Sequence, residues 1–183
     1  MQLSSEELLP VSREVAWQAL NDPEILGACI PGCESIIASG ENEYEVQVSA
    51  SIGPVKAKFK GKMRLTDIRP PESYTIQFEG QGGAAGHAKG SAQVRLEVAG
   101  EGKSRLLYGA NAQVGGKIAQ IGSRLIDMAA QKMAADFFAA FNARFQSNGS
   151  PPEADRPSEA RPAAHPDSFW QRLRAWLRGI LGG

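Results

Sequence analysis

The side chains able to do covalent or metal chemistry are few, and their spacing works against most of it. Cys29 and Cys33 are the only two cysteines and stand four positions apart. A structural zinc site takes four ligands and a disulfide framework takes a Cys-dense chain, so they read as reduced thiols of a cytoplasmic protein. His87 is alone in residues 1–146, and His165 falls in a proline-rich stretch. No His pair for a metal and no Ser/His/Asp set is evident. The run Gly80-Gln81-Gly82-Gly83-Ala84-Ala85-Gly86 is glycine-rich. With no helix after it and no acid in a βαβ context, it fails as a phosphate cradle and reads as a hairpin or bulge near a cavity mouth. Lys117, Arg124 and Asp127 fit a solvated helix face. Trp17 reads as core. Catalysis inside a cavity needs converging titratable groups, and the inward-facing positions derived below supply only Tyr44, Tyr74 and Tyr108. Binding therefore ranks ahead of a cyclase- or hydrolase-type activity. Lys+Arg 20 balances Asp+Glu 20, which argues against a general nucleic-acid binder, although that balance sums unlike parts.

The elements that would position these groups follow from patterning. At 183 residues the chain has room for one domain with appendages. Gln2 to Pro10 reads as a strand. Ser12-Arg13-Glu14-Val15 forms a capping box and Asp22-Pro23-Glu24 starts a second short helix. After Pro31-Gly32, apolar residues alternate in strand-like runs split by Gly40-Glu41-Asn42, Arg69-Pro70-Pro71-Glu72 and Gly100-Glu101-Gly102. The runs carry Tyr44 to Ile52, Val55 to Leu65, Tyr74 to Phe78, Val94 to Val98 and Leu106 to Val114 on one face. From about Lys117 to Phe145 no proline interrupts, and Ile118, Ile121, Leu125, Met128, Met133, Phe137, Phe138, Phe141 and Phe145 suggest one long apolar-faced helix. The expected fold is α+β, a helix-grip arrangement in which a curved antiparallel sheet wraps a long C-terminal helix.

The grammar changes after residue 146. Residues 147–167 hold five prolines and no large apolar side chain, the composition of a disordered linker. Residues 168–183 read as a basic amphipathic helix. Phe169, Trp170, Leu173, Trp176, Leu177, Ile180 and Leu181 recur at three- and four-residue spacing, with Arg172, Arg174 and Arg178 among the intervening positions. This pattern suits the surface of an anionic membrane. Met1 to Glu7 shows no secretion signal, and no stretch approaches the roughly 18 apolar residues of a membrane span.

The element order resembles the carbon monoxide dehydrogenase G-subunit family of the START-like, polyketide-cyclase superfamily. The matching runs are Val15-Ala16-Trp17 to Asn21-Asp22-Pro23, Cys29-Ile30-Pro31-Gly32-Cys33-Glu34, Ile52-Gly53-Pro54-Val55 with Phe59-Lys60-Gly61, and Val114-Gly115-Gly116 to Ile121-Gly122. The resemblance implies a non-catalytic accessory factor. It would recruit a molybdenum-containing CO dehydrogenase, or a related molybdenum hydroxylase, to the inner face of the cytoplasmic membrane. It also implies an apolar cavity, with a respiratory quinone as the preferred ligand and no covalent cofactor or metal. A stand-alone lipid carrier is the alternative. Ala50, Ala57, Gly61, Ala88, Gly90, Ala92, Ala110 and Ala112 on the inner face either leave room or bring the helix closer. If there is a pocket, the expected lining is Val48, Phe59, Met63, Phe78, Tyr108, Ile121, Leu125 and Met128.

Overall fold

The computed structural model describes residues 1–146; the linker 147–167 and the tail helix 168–183 expected above lie outside the described residues. The chain begins with strand β1 (Gln2–Leu9), followed by helices α1 (Arg13–Leu20) and α2 (Pro23–Cys29). Six strands then run in sequence: β2 (Cys33–Gly40), β3 (Glu43–Ile52), β4 (Val55–Arg69), β5 (Ser73–Gln81), β6 (His87–Val98) and β7 (Ser104–Gly115). They pair antiparallel in the order β1-β7-β6-β5-β4-β3-β2. Helices α1 and α2 thus carry the chain from one sheet edge to the other. The fold is the α+β, curved-sheet arrangement expected.

Local chemistry accounts for the elements. Ser12 Oγ accepts from Val15 N–H at 3.4 Å, and Asp22 Oδ1 accepts from Glu24 N–H at 2.8 Å, each satisfying an orphan donor at a helix start. Pro23 occupies the first helical position, where its missing N–H costs nothing. The bend between α2 and β2 needs Gly32, which has φ +73° and lies so close to β3 that a Cβ would sit 2.1 Å from the Ser49 carbonyl oxygen.

The C-terminal element differs from the single helix expected. It is a short α3 (Lys117–Gln120) and a long α4 (Ser123–Gln146), separated at Ile121-Gly122, where Gly122 has φ +95°. Apolar spacing continues through the break in sequence, but the helical phase does not. The buried stripe of α4 contains Ile126, Phe138 and Phe141. Leu125 and Met128 are 44% and 57% exposed; at about 100° per residue they share a flank with Lys132 and Asp136. The strand Cys33–Gly40 is the run before the Gly40-Glu41-Asn42 turn, for which the sequence offers no alternating apolar residues by name. Its apolar alternation is weak, with Ile37 left 62% exposed at the sheet edge.

The main core cluster lies at one end of the sheet, and Ala85, Ala112, Ile118 and Ile126 are buried outside it. Leu9, Leu96, Leu106 and Phe141 are 2% exposed or less, packed with Ala16, Ala19, Leu20, Cys29, Leu65, Tyr74, Val94 and Phe138. Buried Ser104 is satisfied there, its hydroxyl donating to the Val11 carbonyl at 2.9 Å.

Candidate functional site

Sheet register defines the site. Val46, Gly61, Gly80, Ala88 and Val114 align across five strands, and Tyr44, Met63, Phe78, Gly90 and Ala112 form the next row on the same face. This is the face that carries Leu65, Ile76 and Tyr74 into the core two residues at a time. Yet Val46, Val48, Phe59, Gly61, Met63, Phe78, Ala88 and Val114 are only half-buried, and none belongs to the core cluster or packs against it. The inner face therefore has a filled half and an open half.

Small residues shape the open half. Two phenylalanine rings lie over glycines: a Cβ on Gly82 would meet the Phe59 ring at 2.4 Å, and one on Gly90 would meet Phe78 Cζ at 2.8 Å. Across the sheet, Gly61, Gly80 and Ala88 contribute almost no side-chain volume. The inner face between the two rings is therefore low in side-chain volume, and this stretch is the candidate cleft. At this end of the sheet the turn at Gly83–Ala85 packs against the start of α3. Gly116 approaches this turn so closely that a Cβ would sit 2.5 Å from the Gly86 Cα.

Of the eight expected lining residues, Val48, Phe59, Met63 and Phe78 lie in the open half. Ile121 is half-buried at the α3–α4 break. Tyr108 sits at the border of the filled half, its ring 5.5 Å from that of Phe138. Leu125 and Met128 are corrected: the phase change at Gly122 turns them out of the buried stripe and puts Ile126, at 9% exposure, into it. Val46, Ala88 and Val114, on the inner face by the same alternation but outside the expected lining, also lie in the open half. Ile126 required knowledge of the helix break.

The polar groups sit elsewhere. Tyr74 is buried in the filled half against Trp17, with ring centroids 5.4 Å apart and nearly perpendicular. Burial pushes its phenol well above the ordinary range, and neighbouring Tyr44 adds to the shift. Burial also raises the Tyr108 phenol, with the Glu7 charge in the same direction and a hydrogen bond with Ser5 opposing. Tyr44 and Tyr108 both pack against the core. The three tyrosines thus belong to or border the filled half. Lys117 and Arg124 are exposed as expected, whereas Asp127 has one buried carboxylate oxygen without a hydrogen-bond partner among the described residues. Among those residues no His/Cys/Asp/Glu group could hold a metal ion, and no helix is long and apolar enough to cross a membrane.

A wide trough of about 1080 Å³ lies across the sheet, but it opens on the other face. Its walls are two outward rows, Glu43, Arg64, Gln77, Ser91 and Asn111 on one side and Glu45, Lys62, Glu79, Lys89 and Gln113 on the other. Between them runs the backbone of the Tyr44–Ala112 row, whose side chains point inward. Such a charged, hydrated lining does not suit an apolar ligand, so the smaller-residue cleft on the inner face is the candidate site.

A profile of the carbon monoxide dehydrogenase G-subunit family (CoxG) matches residues 6–146. The chain belongs to this family. Among solved structures it is similar to a conserved protein from Geobacillus kaustophilus at 31% identity and TM-score 0.76, covering 81% of this chain and 97% of that one. A START superfamily protein from Mycobacterium smegmatis matches at 12% identity and TM-score 0.62, over 80% and 98% of the two chains. An aromatase/cyclase from Streptomyces sp. R1128 matches at 11% identity and TM-score 0.59, over 81% and 94%. The last two likenesses are of fold. No functionally curated protein matches the sequence.

One of the runs that carried the family resemblance, Cys29 to Glu34, ends on a contact between strands. Glu34, at the start of β2, accepts from Ser49 Oγ at 2.6 Å and Lys58 Nζ at 3.0 Å. Ser49 first and Lys58 second hold its carboxyl below the usual range. With Gly32 under Ser49, this clasp fixes β2 against β3 and β4. Cys29 is buried and Cys33 half-buried beside it, and burial pushes both thiols up.

Proposed function

We propose that this member of the CoxG family is a non-catalytic accessory factor. It carries an apolar ligand in the open half of its cleft and recruits a molybdenum-containing CO dehydrogenase, or a related molybdenum hydroxylase, to the inner face of the cytoplasmic membrane. The observation that carries the ligand half is two cross-strand pairs of half-buried apolar residues, Val48 with Phe59 and Met63 with Phe78, standing outside the core. Leaving such residues uncovered forgoes roughly 25 cal/mol for every Å² not buried, which an apolar ligand would recover. A respiratory quinone suits this lining. The fit rests on a flat apolar ring and chain against Phe59, Met63 and Phe78, with the shallow Gly80 and Ala88 row giving it depth.

Recruitment rests on family membership for the enzyme and on residues 168–183 for the membrane. Burying Phe169, Trp170, Leu173, Trp176, Leu177, Ile180 and Leu181 at the lipid interface, with Arg172, Arg174 and Arg178 on anionic headgroups, supplies a reversible anchor. The Pro-rich segment before it would let both contacts form at once and raise the effective concentration of the second toward the millimolar range. The test is flotation of the purified partner enzyme with vesicles containing phosphatidylglycerol, using the full chain and its Trp170→Ser/Trp176→Ser variant. Only the unaltered chain should bring the enzyme to the lipid. Enzyme flotation that is equal with both forms would overturn the tail as anchor, and none with either would favour a stand-alone carrier.

A further inference from the structure

Leu125 and Met128, turned out of the buried stripe, are one helical turn apart at the start of α4 and 44% and 57% exposed. Among the described residues the other exposed large apolar side chains are scattered, Met1 at the chain start and Leu8, Val15, Ile37 and Val98 on four separate elements. Leu125 is also beside a second exposed feature: a Cβ on Gly53 would lie 3.9 Å from Leu125 Cδ1. Gly53 and Pro54 are the exposed tip between β3 and β4, flanked by half-buried Ile52 and Val55. Tip and helix start thus form one exposed apolar rim at the open end of the inner face. Lys56 follows the tip, Arg124 precedes Leu125 and Lys117 begins α3; all three are exposed and none has an ion pair among the described residues. The nearby acid in sequence, Asp127, has one oxygen buried, and Asp136 is engaged by Lys132 at 2.6 Å.

We infer that this rim is a second lipid-contact surface, in the domain itself, that seats the mouth of the cleft on an anionic bilayer. The inference rests on the membrane reading above and deepens it. Exposed apolar side chains with unpaired Arg124 next to Leu125 and Lys56 just beyond the tip match an anionic headgroup layer over a hydrocarbon interior. With the rim seated, an apolar ligand moves between bilayer and cleft without crossing water. The tail then supplies residence at the membrane, and the rim supplies orientation.

The test uses the full chain with Trp170→Phe and Trp176→Phe, which leaves Trp17 in the folded part, and adds Met128→Trp or, at the opposite end of the sheet, Val98→Trp. Vesicles contain phosphatidylglycerol with brominated acyl chains, and the bound fraction is measured by sedimentation. At equal bound fraction, the fluorescence gained by Met128→Trp should be quenched at least about twofold, and that gained by Val98→Trp should be unchanged. Bound protein with neither signal quenched would overturn the rim while leaving the tail as anchor. Both quenched alike would overturn a defined orientation. No sedimentation at all would overturn the rim together with the membrane reading. As a second measurement, Leu125→Ser with Met128→Ser, both at exposed positions, should slow transfer of ubiquinone from vesicles to the otherwise unaltered chain about tenfold. An unchanged rate would also count against the rim.

Discussion

The two halves of the inner sheet face are made by the same strands and behave differently. At one end Leu96, Leu106 and Phe141 are closed off by α1, α2 and the C-terminal part of α4. At the other, Val48, Phe59, Met63 and Phe78 continue the same alternation and remain half-buried. The difference lies in side-chain volume. Large residues interlock at the filled end, while glycines and alanines interrupt the open one, so stability and binding are assigned to separate lengths of the same strands.

Stability should divide accordingly. Phe141→Ala should cost about 3–5 kcal/mol, and Phe78→Ala about 1–2 because its ring is only partly removed from water. Chemical denaturation measures both, and equal losses would erase the distinction between halves. Gly32→Ala should cost at least about 1–3 kcal/mol through its positive φ alone, since the Ser49 carbonyl blocks relaxation. A near-neutral result would show that the clasp holding the cleft wall is dispensable.

Titration sharpens the contrast with smaller effects. The folded chain keeps the Tyr74 proton where the unfolded chain loses it, from about pH 10 upward. The associated stability is complete below that pH and falls as pH rises further. Tyr74→Phe should flatten the fall, as followed by denaturation between pH 8 and 11. Cys29 and Cys33, with thiols raised by burial, should react with iodoacetamide at pH 8 more slowly than free cysteine, Cys29 the slower because it is buried. Mass-resolved alkylation separates them, and reaction at the rate of free thiols would refute this burial.

Much of this was readable in the residues, because a two-residue alternation fixes which side chains share a face wherever strands are long. Val48, Phe59, Met63 and Phe78 were placed that way, and Asp22-Pro23 marked its helix start without ambiguity. Leu125 and Met128 were misplaced because apolar spacing does not record phase. Ile118, Ile121, Leu125 and Met128 are spaced as one stripe, and only the backbone at Gly122 shows that two helices share it. The division of the inner face was equally hidden. Ala88 and Ala112 look alike in sequence, yet one is half-buried and the other buried.

The central claim, that the open half takes up an apolar ligand, is tested most directly by filling it. Ala88 lies between Gly80 and Val114 on the open face, where a larger side chain has space to enter. Ubiquinone titration monitored by tryptophan fluorescence, with denaturation midpoints measured alongside, compares the unaltered chain with Ala88→Phe. The account predicts that Ala88→Phe weakens binding at least about tenfold while moving stability by no more than the roughly 1–3 kcal/mol of overpacking. Unchanged affinity in a folded Ala88→Phe chain would contradict it.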